Sequence, residues 1–269
     1  MNIAVETLPE NSYEWFVRTR GAALPLVPER ISSVRKKFEK KIGQEPEFAG
    51  GYAGVSLMMS YANIWGHYVK DDSIARAVSF AEQAQRIDDG FAWSHAALGL
   101  ALMTQLKFED ALNALQFGME CEPYDPDILA CYALALGLVG RYDEAIQFLE
   151  KAIESNPGYL TASYLILRGQ ISVLAGKFEE AAEDFQNNEI QQGPDCPQAL
   201  SLYVVALQAM GKYDEVKHRV ERIRSEFQRF SLHRWNYLRL IENDNVGQQI
   251  VSYMREAKIP YGMTKRKSY

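Results

Sequence analysis

The sequence contains few cysteines and no excess of positive charge, and both scarcities exclude classes of protein. Three of its 269 residues are cysteine, Cys121, Cys131 and Cys196, and no two form a CxxC pair. We therefore expect the reduced, buried thiols of a cytoplasmic protein instead of a disulfide framework. The net charge is -6, whereas affinity for nucleic acid draws on clustered Lys and Arg. We expect no nucleic-acid partner.

Long apolar runs and catalytic motifs are also missing. No run approaches the roughly 18 apolar residues of a membrane span, and the N-terminus lacks the basic-then-apolar pattern of a signal peptide. We predict a cytoplasmic location and no membrane partner. The four histidines form neither HExxH nor a Cys/His cluster, and GxSxG, P-loop and GxGxxG motifs are absent. We therefore expect no enzyme, no metal site and no cofactor.

What the sequence does contain is an internal repeat with a period of about 35 residues. Four segments align, each opening on an aromatic residue soon after a turn: 106–123, 140–157, 176–193 and 211–228. The turns inside the last three repeats carry Gly140, Gly176 and Gly211. Because only glycine adopts a positive φ at little cost, these positions predict sharp turns between paired helices.

Small residues recur on both helices of each predicted pair. Ala111, Ala145 and Ala181 lie on the second helices, where a larger side chain would push the crossing helices apart. The matching small positions of the first helices are Gly99, Ala133 and Gly169. Two small residues that face each other allow a helical hairpin to close tightly.

The period, the alanine, the large apolar residue four positions later and the closing proline identify the pattern as similar to the tetratricopeptide repeat. We predict an all-α fold, a right-handed α–α superhelix of about six hairpins with C-terminal capping helices. The predicted hairpins of the repeat array, 10–228, are 10–46, 47–89, 92–124, 126–158, 161–194 and 197–228. Capping helices are predicted at 229–260 and a flexible basic tail at 261–269.

The chain more closely resembles the helical C-terminal region of bacterial class III nucleotide cyclases and winged-helix transcriptional activators. The segments EPEFAGGYAGVSLMMSYANIWGHYVKDD (45–72) and FSLHRWNYLRLIENDNVGQQIVSYMREAKIP (230–260) carry this resemblance. It implies a sensory or docking arm of a signalling protein. Hairpins fill the sequence and leave no room for a cyclase sheet or a winged helix, so the resemblance extends to the scaffold and not to the activity.

In a stacked array the first helices line the concave surface. Residues about one helical turn from the small positions are predicted to form a partner-binding groove there: Met58, Trp93, Ala96, Leu100, Met103, Ala130, Leu134, Ile166, Gln170, Ser201, Val205 and Gln208. This groove is largely apolar and suits an amphipathic helix or an extended apolar segment. The alternative is that several of these side chains pack between neighbouring hairpins.

The function that this pattern favours is a protein–protein interaction scaffold that binds a protein or peptide partner in the groove. A second hypothesis is a regulatory arm of a nucleotide cyclase or transcriptional regulator, acting without an output domain of its own. A third is a self-associating structural subunit, because terminal hairpins with exposed apolar faces can stack into a homo-oligomer.

Overall fold

The computed structural model describes residues 11–24, 26, 28–65, 71–156, 161–191, 193, 196–228, 230, 232, 235–241 and 243–260. Within these ranges the regular structure consists of helices, of which thirteen are α-helices. They are α1 (Ser12–Gly21), α2 (Pro28–Gln44), α3 (Ala49–Trp65), α4 (Asp71–Ile87), α5 (Ala92–Thr104), α6 (Phe108–Cys121), α7 (Pro126–Leu138), α8 (Tyr142–Ser155), α9 (Thr161–Leu174), α10 (Phe178–Ile190), α11 (Pro197–Ala209), α12 (Tyr213–Glu226) and α13 (Asp244–Glu256).

Consecutive helices from α3 to α12 pack as hairpins, and the hairpins stack in chain order. Each helix contacts the helix that follows it, and the first helices α3, α5, α7, α9 and α11 also contact one another in sequence. Ala111, Ala145 and Ala181 have no exposed surface, as expected for residues at a close helix crossing. The predicted all-α superhelix of stacked hairpins is confirmed.

Left-handed backbone conformations end the first helices of four hairpins. Gly140, Gly176 and Gly211 have φ of +85°, +72° and +73°. In each turn the next residue donates its backbone N–H to a carbonyl five residues earlier, as Arg141 does to Leu136 at 2.9 Å. Leu106 holds the same place in the turn between α5 and α6, with φ of +61°. These four hairpins therefore share one turn geometry, even where glycine is missing.

Replacing Leu106 by glycine is expected to raise the free energy of unfolding by about 0.5–1 kcal/mol, because it removes left-handed strain worth about 1–2 kcal/mol and adds some chain entropy to the unfolded state. Leu106 is 51% exposed, so little apolar burial is lost. Urea unfolding followed by circular dichroism measures the change. The reverse variant, Gly140→Leu, should be destabilised. Equal or lower stability of Leu106→Gly would contradict the assignment of strain.

The C-terminal segment forms a short 3₁₀ helix, Asn236–Leu240, before α13. Tyr237 of this segment stacks on Trp65 at the end of α3, with ring centroids 5.5 Å apart. Gln198 of α11 donates to the backbone carbonyl of Trp65 at 2.6 Å. The superhelix therefore curves far enough for its early and late hairpins to meet. The predicted tail, 261–269, lies outside the described residues.

The cysteines, one histidine and the apolar character of the helices can now be described. The three cysteines are free thiols; Cys131 is buried and Cys196 half-buried, but Cys121 is exposed, contrary to expectation, because it ends α6 at the surface. His95 is 6% exposed and hydrogen-bonds Gln85 and the Asp89 carbonyl, as a structural histidine does. None of the described helices has the length and apolar character needed to cross a membrane.

Candidate functional site

The N-terminal helix α1 lies against the first helices of the array. Phe16, at its centre, has no exposed surface. Its ring packs edge-to-face on Phe91 at 5.3 Å and tilted against Trp93 at 5.8 Å, measured between ring centroids. Phe38 of α2 lies on its other side at 5.8 Å. Aromatic contacts of this kind add to the apolar burial that holds α1 in place.

Arg20 anchors the other end of α1 through two contacts. Its guanidinium carbon lies 3.8 Å from the ring centroid of Trp93, and its Nη2 atom lies 2.6 Å from a carboxylate oxygen of Asp127 in α7. Burial opposes the positive charge, but Asp127, Tyr61 and Asp125 together outweigh burial and raise the pKa of Arg20. The Tyr164 hydroxyl of α9 donates to Asp127 at 2.7 Å. Asp127 thus joins α1, α7 and α9.

Asp125 fixes the adjoining ends of α5 and α7. It caps α7, and its side chain accepts from the backbone N–H groups of Asp127 at 2.8 Å and Ile128 at 3.1 Å. The Trp93 indole N–H donates to its second carboxylate oxygen at 3.1 Å. Burial raises the pKa of Asp125, although the charge of Arg20 opposes this rise. Trp93 is therefore held from two sides, by Arg20 over its ring and by Asp125 at its edge.

A cavity of about 220 Å³ lies beside α1 on the inner side of the array. Its walls come from α1 and the loop after it, and from α3, α7, α9 and α11. The lining residues are Val17, Arg20, Gly21, Leu24, Leu26, Tyr61, Trp65, Asp127, Ala130, Cys131, Leu134, Ser163, Tyr164, Ile166, Leu167, Gln170, Cys196 and Gln198. Most of this surface is apolar, so the cavity favours an apolar group over a charged one.

Two polar side chains of the cavity wall are held in their neutral forms. Burial raises the pKa of the Cys131 thiol to about 12, so it is protonated at neutral pH and is not a reactive thiolate. Burial also raises the pKa of Tyr61 well above its usual value. Both groups are therefore uncharged in the cavity wall, which also contains the Arg20–Asp127 ion pair.

The structure brings four of the twelve predicted groove residues together in this cavity: Ala130, Leu134, Ile166 and Gln170. Seven others have no exposed surface in this chain and pack between helices: Met58, Trp93, Ala96, Leu100, Met103, Ser201 and Val205. Gln208 is half-buried and donates to Glu256 of α13 at 3.4 Å. The N-terminal and C-terminal segments account for part of this burial, because they lie on the inner side of the array.

Sequence reasoning missed the part of the cavity that α1 and α3 provide. Tyr61 and Trp65 follow the predicted Met58 at helical spacing, so extension of that face by two turns would have found them. Asp127 and Ser163 likewise lie one turn before the predicted Ala130 and Ile166. Val17, Arg20 and Leu24 had no comparable signal, because their place depends on where α1 docks.

The described part of the chain contains no group of three His, Cys, Asp or Glu side chains arranged to hold a metal ion. Two carboxylates at and beside the candidate site are instead engaged in structural contacts, Asp127 with Arg20 and Tyr164, and Asp125 with Trp93. What this arrangement can do chemically is to bind an apolar group.

Comparison with known proteins supports the repeat assignment. The tetratricopeptide repeat family model matches residues 96–159 and 129–197. No curated protein sequence matches the chain. Among solved structures, a thermophilic TPR protein of Thermus thermophilus aligns with a TM-score of 0.55 and 14% identity, over 73% of this chain and 98% of that chain.

Two further solved structures share the fold at a similarly low sequence identity. PilF of Pseudomonas aeruginosa has a TM-score of 0.51 and 13% identity, over 80% of this chain and 91% of that chain. A chain of the APC/C hetero-tetramer Cut9–Hcn1 has a TM-score of 0.59 and 15% identity. The alignment covers 93% of this chain and 44% of that chain. The family match shows that residues 96–197 are similar to tetratricopeptide repeats, and the likenesses to solved structures show a helical-repeat fold.

Proposed function

We propose that the chain is a protein–protein interaction scaffold, and that the cavity beside α1 receives an apolar side chain of the bound polypeptide. One observation carries the proposal. The cavity is an open, apolar recess on the inner side of a repeat array, lined by four helices and the N-terminal segment. Tetratricopeptide repeats generally mediate protein interactions, and this recess offers an anchor point for a partner.

The proposed contact surface contains fewer residues than the groove predicted from the sequence. Ala130, Leu134, Ile166 and Gln170 are proposed as contact residues, together with Trp65 of α3 and Leu167 of α9. An amphipathic or apolar segment fits this surface because a few buried anchors carry most of the binding energy at interfaces. The Cut9–Hcn1 relative is part of a hetero-tetramer, but its likeness to this chain is one of fold alone.

The identity of the partner is a separate prediction. The resemblance to cyclase and activator arms points to a nucleotide cyclase or a transcriptional regulator to which this chain docks. Self-association into a homo-oligomer and a cytoplasmic location also stay predictions. Light scattering over a range of concentrations tests self-association, because a mass that rises with concentration requires it.

Filling the cavity is expected to weaken peptide binding by about tenfold or more, since it removes the space for a buried anchor. Peptides selected from a random library against the unaltered protein serve as ligands, and fluorescence polarisation measures their affinity. The variant is Ala130→Phe, because Ala130 lines the cavity. Ala75→Phe is the matched control, since Ala75 is exposed on α4.

Thermal melting of both variants shows whether each retains the fold. Peptides that bind Ala130→Phe as tightly as the parent would place the interface elsewhere and overturn the proposed use of the cavity. Loss of binding in Ala75→Phe but not in Ala130→Phe would assign it to the outer helices.

A further inference from the structure

Resting on the proposed function, we propose that the polypeptide bound at the cavity also lies along α1 and covers the exposed side chains of Val17 and Tyr13. Its contacts with α1 hold this helix on the array. The interaction surface is therefore larger than the cavity, and its occupancy is coupled to the docking of α1.

One face of α1 is buried against the array. Phe16 and Thr19 are buried, and so is Ala23, which follows the helix. Spacings of three and four residues place these side chains on one side of the helix. This inward face accounts for the docking of α1, so the apolar residues on the neighbouring face need another explanation.

The neighbouring face of α1 carries two large apolar side chains that docking leaves partly uncovered. Tyr13 and Val17 lie one helical turn apart and are 44% and 38% exposed. Val17 also lines the cavity. Exposed apolar residues that are contiguous mark interaction sites, whereas single ones need no explanation. The apolar surface of the cavity therefore continues along α1 to Tyr13.

Contacts within the chain already fix the position of Tyr13. Its hydroxyl donates to a carboxylate oxygen of Glu122 at 3.3 Å, and its ring packs edge-to-face on Phe91 with centroids 6.3 Å apart. A side chain that is ordered before a partner binds loses little rotamer entropy on binding. Tyr13 is therefore suited to serve as a second contact beside the cavity.

The spacing along α1 sets the kind of segment that fits. Tyr13 and Val17 are four residues apart, which is about 6 Å along the helix axis. A partner whose anchor lies beside Val17 reaches Tyr13 with a second apolar residue, about two positions away in an extended segment or four in a helix. A charged residue at this second position is disfavoured, because the contact would remove it from water.

Contacts on both α1 and the array couple partner binding to the docking of α1. A segment that touches both binds the docked state more tightly than a state in which α1 is detached. By thermodynamic reciprocity, the partner stabilises the docked helix by the same factor.

Hydrogen exchange of the unaltered full chain tests this coupling, with a peptide selected from the random library as the ligand. At saturation, the α1 amides that exchange through local detachment should slow by about tenfold. The amides of α13, none of whose residues lines the cavity, should change by less than twofold. Unchanged exchange in α1 would overturn the inference. Faster exchange would also overturn it, because the peptide would then displace α1.

Variants of Tyr13 test the contact itself by fluorescence polarisation. Tyr13→Ala is expected to weaken peptide binding about fivefold, because it removes the ring that the partner covers. Tyr13→Phe keeps the ring and loses the hydrogen bond to Glu122, so its affinity should stay within twofold of the parent. Tyr213→Ala, which removes an exposed tyrosine from α12, is the matched control. Parental affinity of Tyr13→Ala, or equal losses in Tyr13→Ala and Tyr13→Phe, would overturn the proposed surface.

These outcomes are distinct from failure of the proposed function. If Ala130→Phe weakens peptide binding while Tyr13→Ala does not and α1 exchange is unchanged, the cavity remains the binding site and only the contact with α1 is wrong. If Ala130→Phe leaves peptide binding unchanged, the cavity is not the site and both proposals fail.

Discussion

Replacing Asp127 by alanine is expected to lower the free energy of unfolding by about 3–5 kcal/mol, because it leaves the charge of Arg20 buried without a partner. The side chains of Arg20 and Asp127 are 11% and 21% exposed, so water screens the pair only weakly. The same substitution removes the acceptor of the Tyr164 hydroxyl. Urea unfolding followed by circular dichroism measures the loss.

Three control variants separate the contributions. Asp127→Asn keeps an acceptor for Tyr164 but removes the charge, so it should lose less stability than Asp127→Ala. The double variant Arg20→Met with Asp127→Leu should recover part of the loss, because apolar pairs can replace buried ion pairs. Asp143→Ala breaks an exposed ion pair, in which the side chains of Asp143 and Lys177 are 82% and 41% exposed. This variant should lower the free energy of unfolding by less than about 1 kcal/mol.

The location of the loss is as informative as its size. Hydrogen exchange should show that the amides of α1 lose protection first, since Arg20 is the main polar anchor of that helix. A loss below about 1 kcal/mol in Asp127→Ala would contradict a buried, structurally important ion pair. Unchanged protection of α1 would show that Phe16 and its aromatic neighbours suffice to hold the helix.

The helical hairpins from α3 to α12 can be predicted from the sequence because the residues that specify them lie close together along the chain. A small residue on each helix, a turn and a period of about 35 residues specify which helices pair. The expected hairpin at 126–158, for example, contains α7 and α8, separated by the turn at Gly140. Leu106 shows the limit of this signal, since the turn keeps its geometry without the residue that marks it elsewhere.

The position at which α1 docks cannot be predicted from the sequence, because it depends on the curvature of the whole array. Arg20 and Asp127 are 107 positions apart, and Gln198 and Trp65 are 133 apart. Small rotations accumulated over several hairpins decide whether such residues meet. A single sequence shows the repeat but not its pitch, so it does not decide which of the predicted groove residues line a groove and which, like Trp93, pack between helices.

Placing a methyl group on Gly99 is expected to lower the free energy of unfolding by about 2 kcal/mol, because the hairpin of α5 and α6 has no room for it. A Cβ atom there would lie 2.9 Å from the backbone carbonyl oxygen of Ala111 and would overlap the Leu115 side chain. The backbone of α6 cannot move away without shifting the whole helix. This steric cost exceeds the gain of about 1 kcal/mol that alanine brings to a helix interior.

Gly169 provides the matched control on α9. A Cβ atom there would lie 3.1–3.2 Å from ring atoms of Phe185, and a ring can shift by a few tenths of an ångström more easily than a backbone carbonyl. Gly169→Ala should therefore change the free energy of unfolding by less than about 0.5 kcal/mol, since helix propensity offsets the mild crowding. Urea unfolding of the two variants gives the comparison. Equal stability of Gly99→Ala and Gly169→Ala would contradict a closer helix crossing in the α5–α6 hairpin, and with it the account of why small residues recur there.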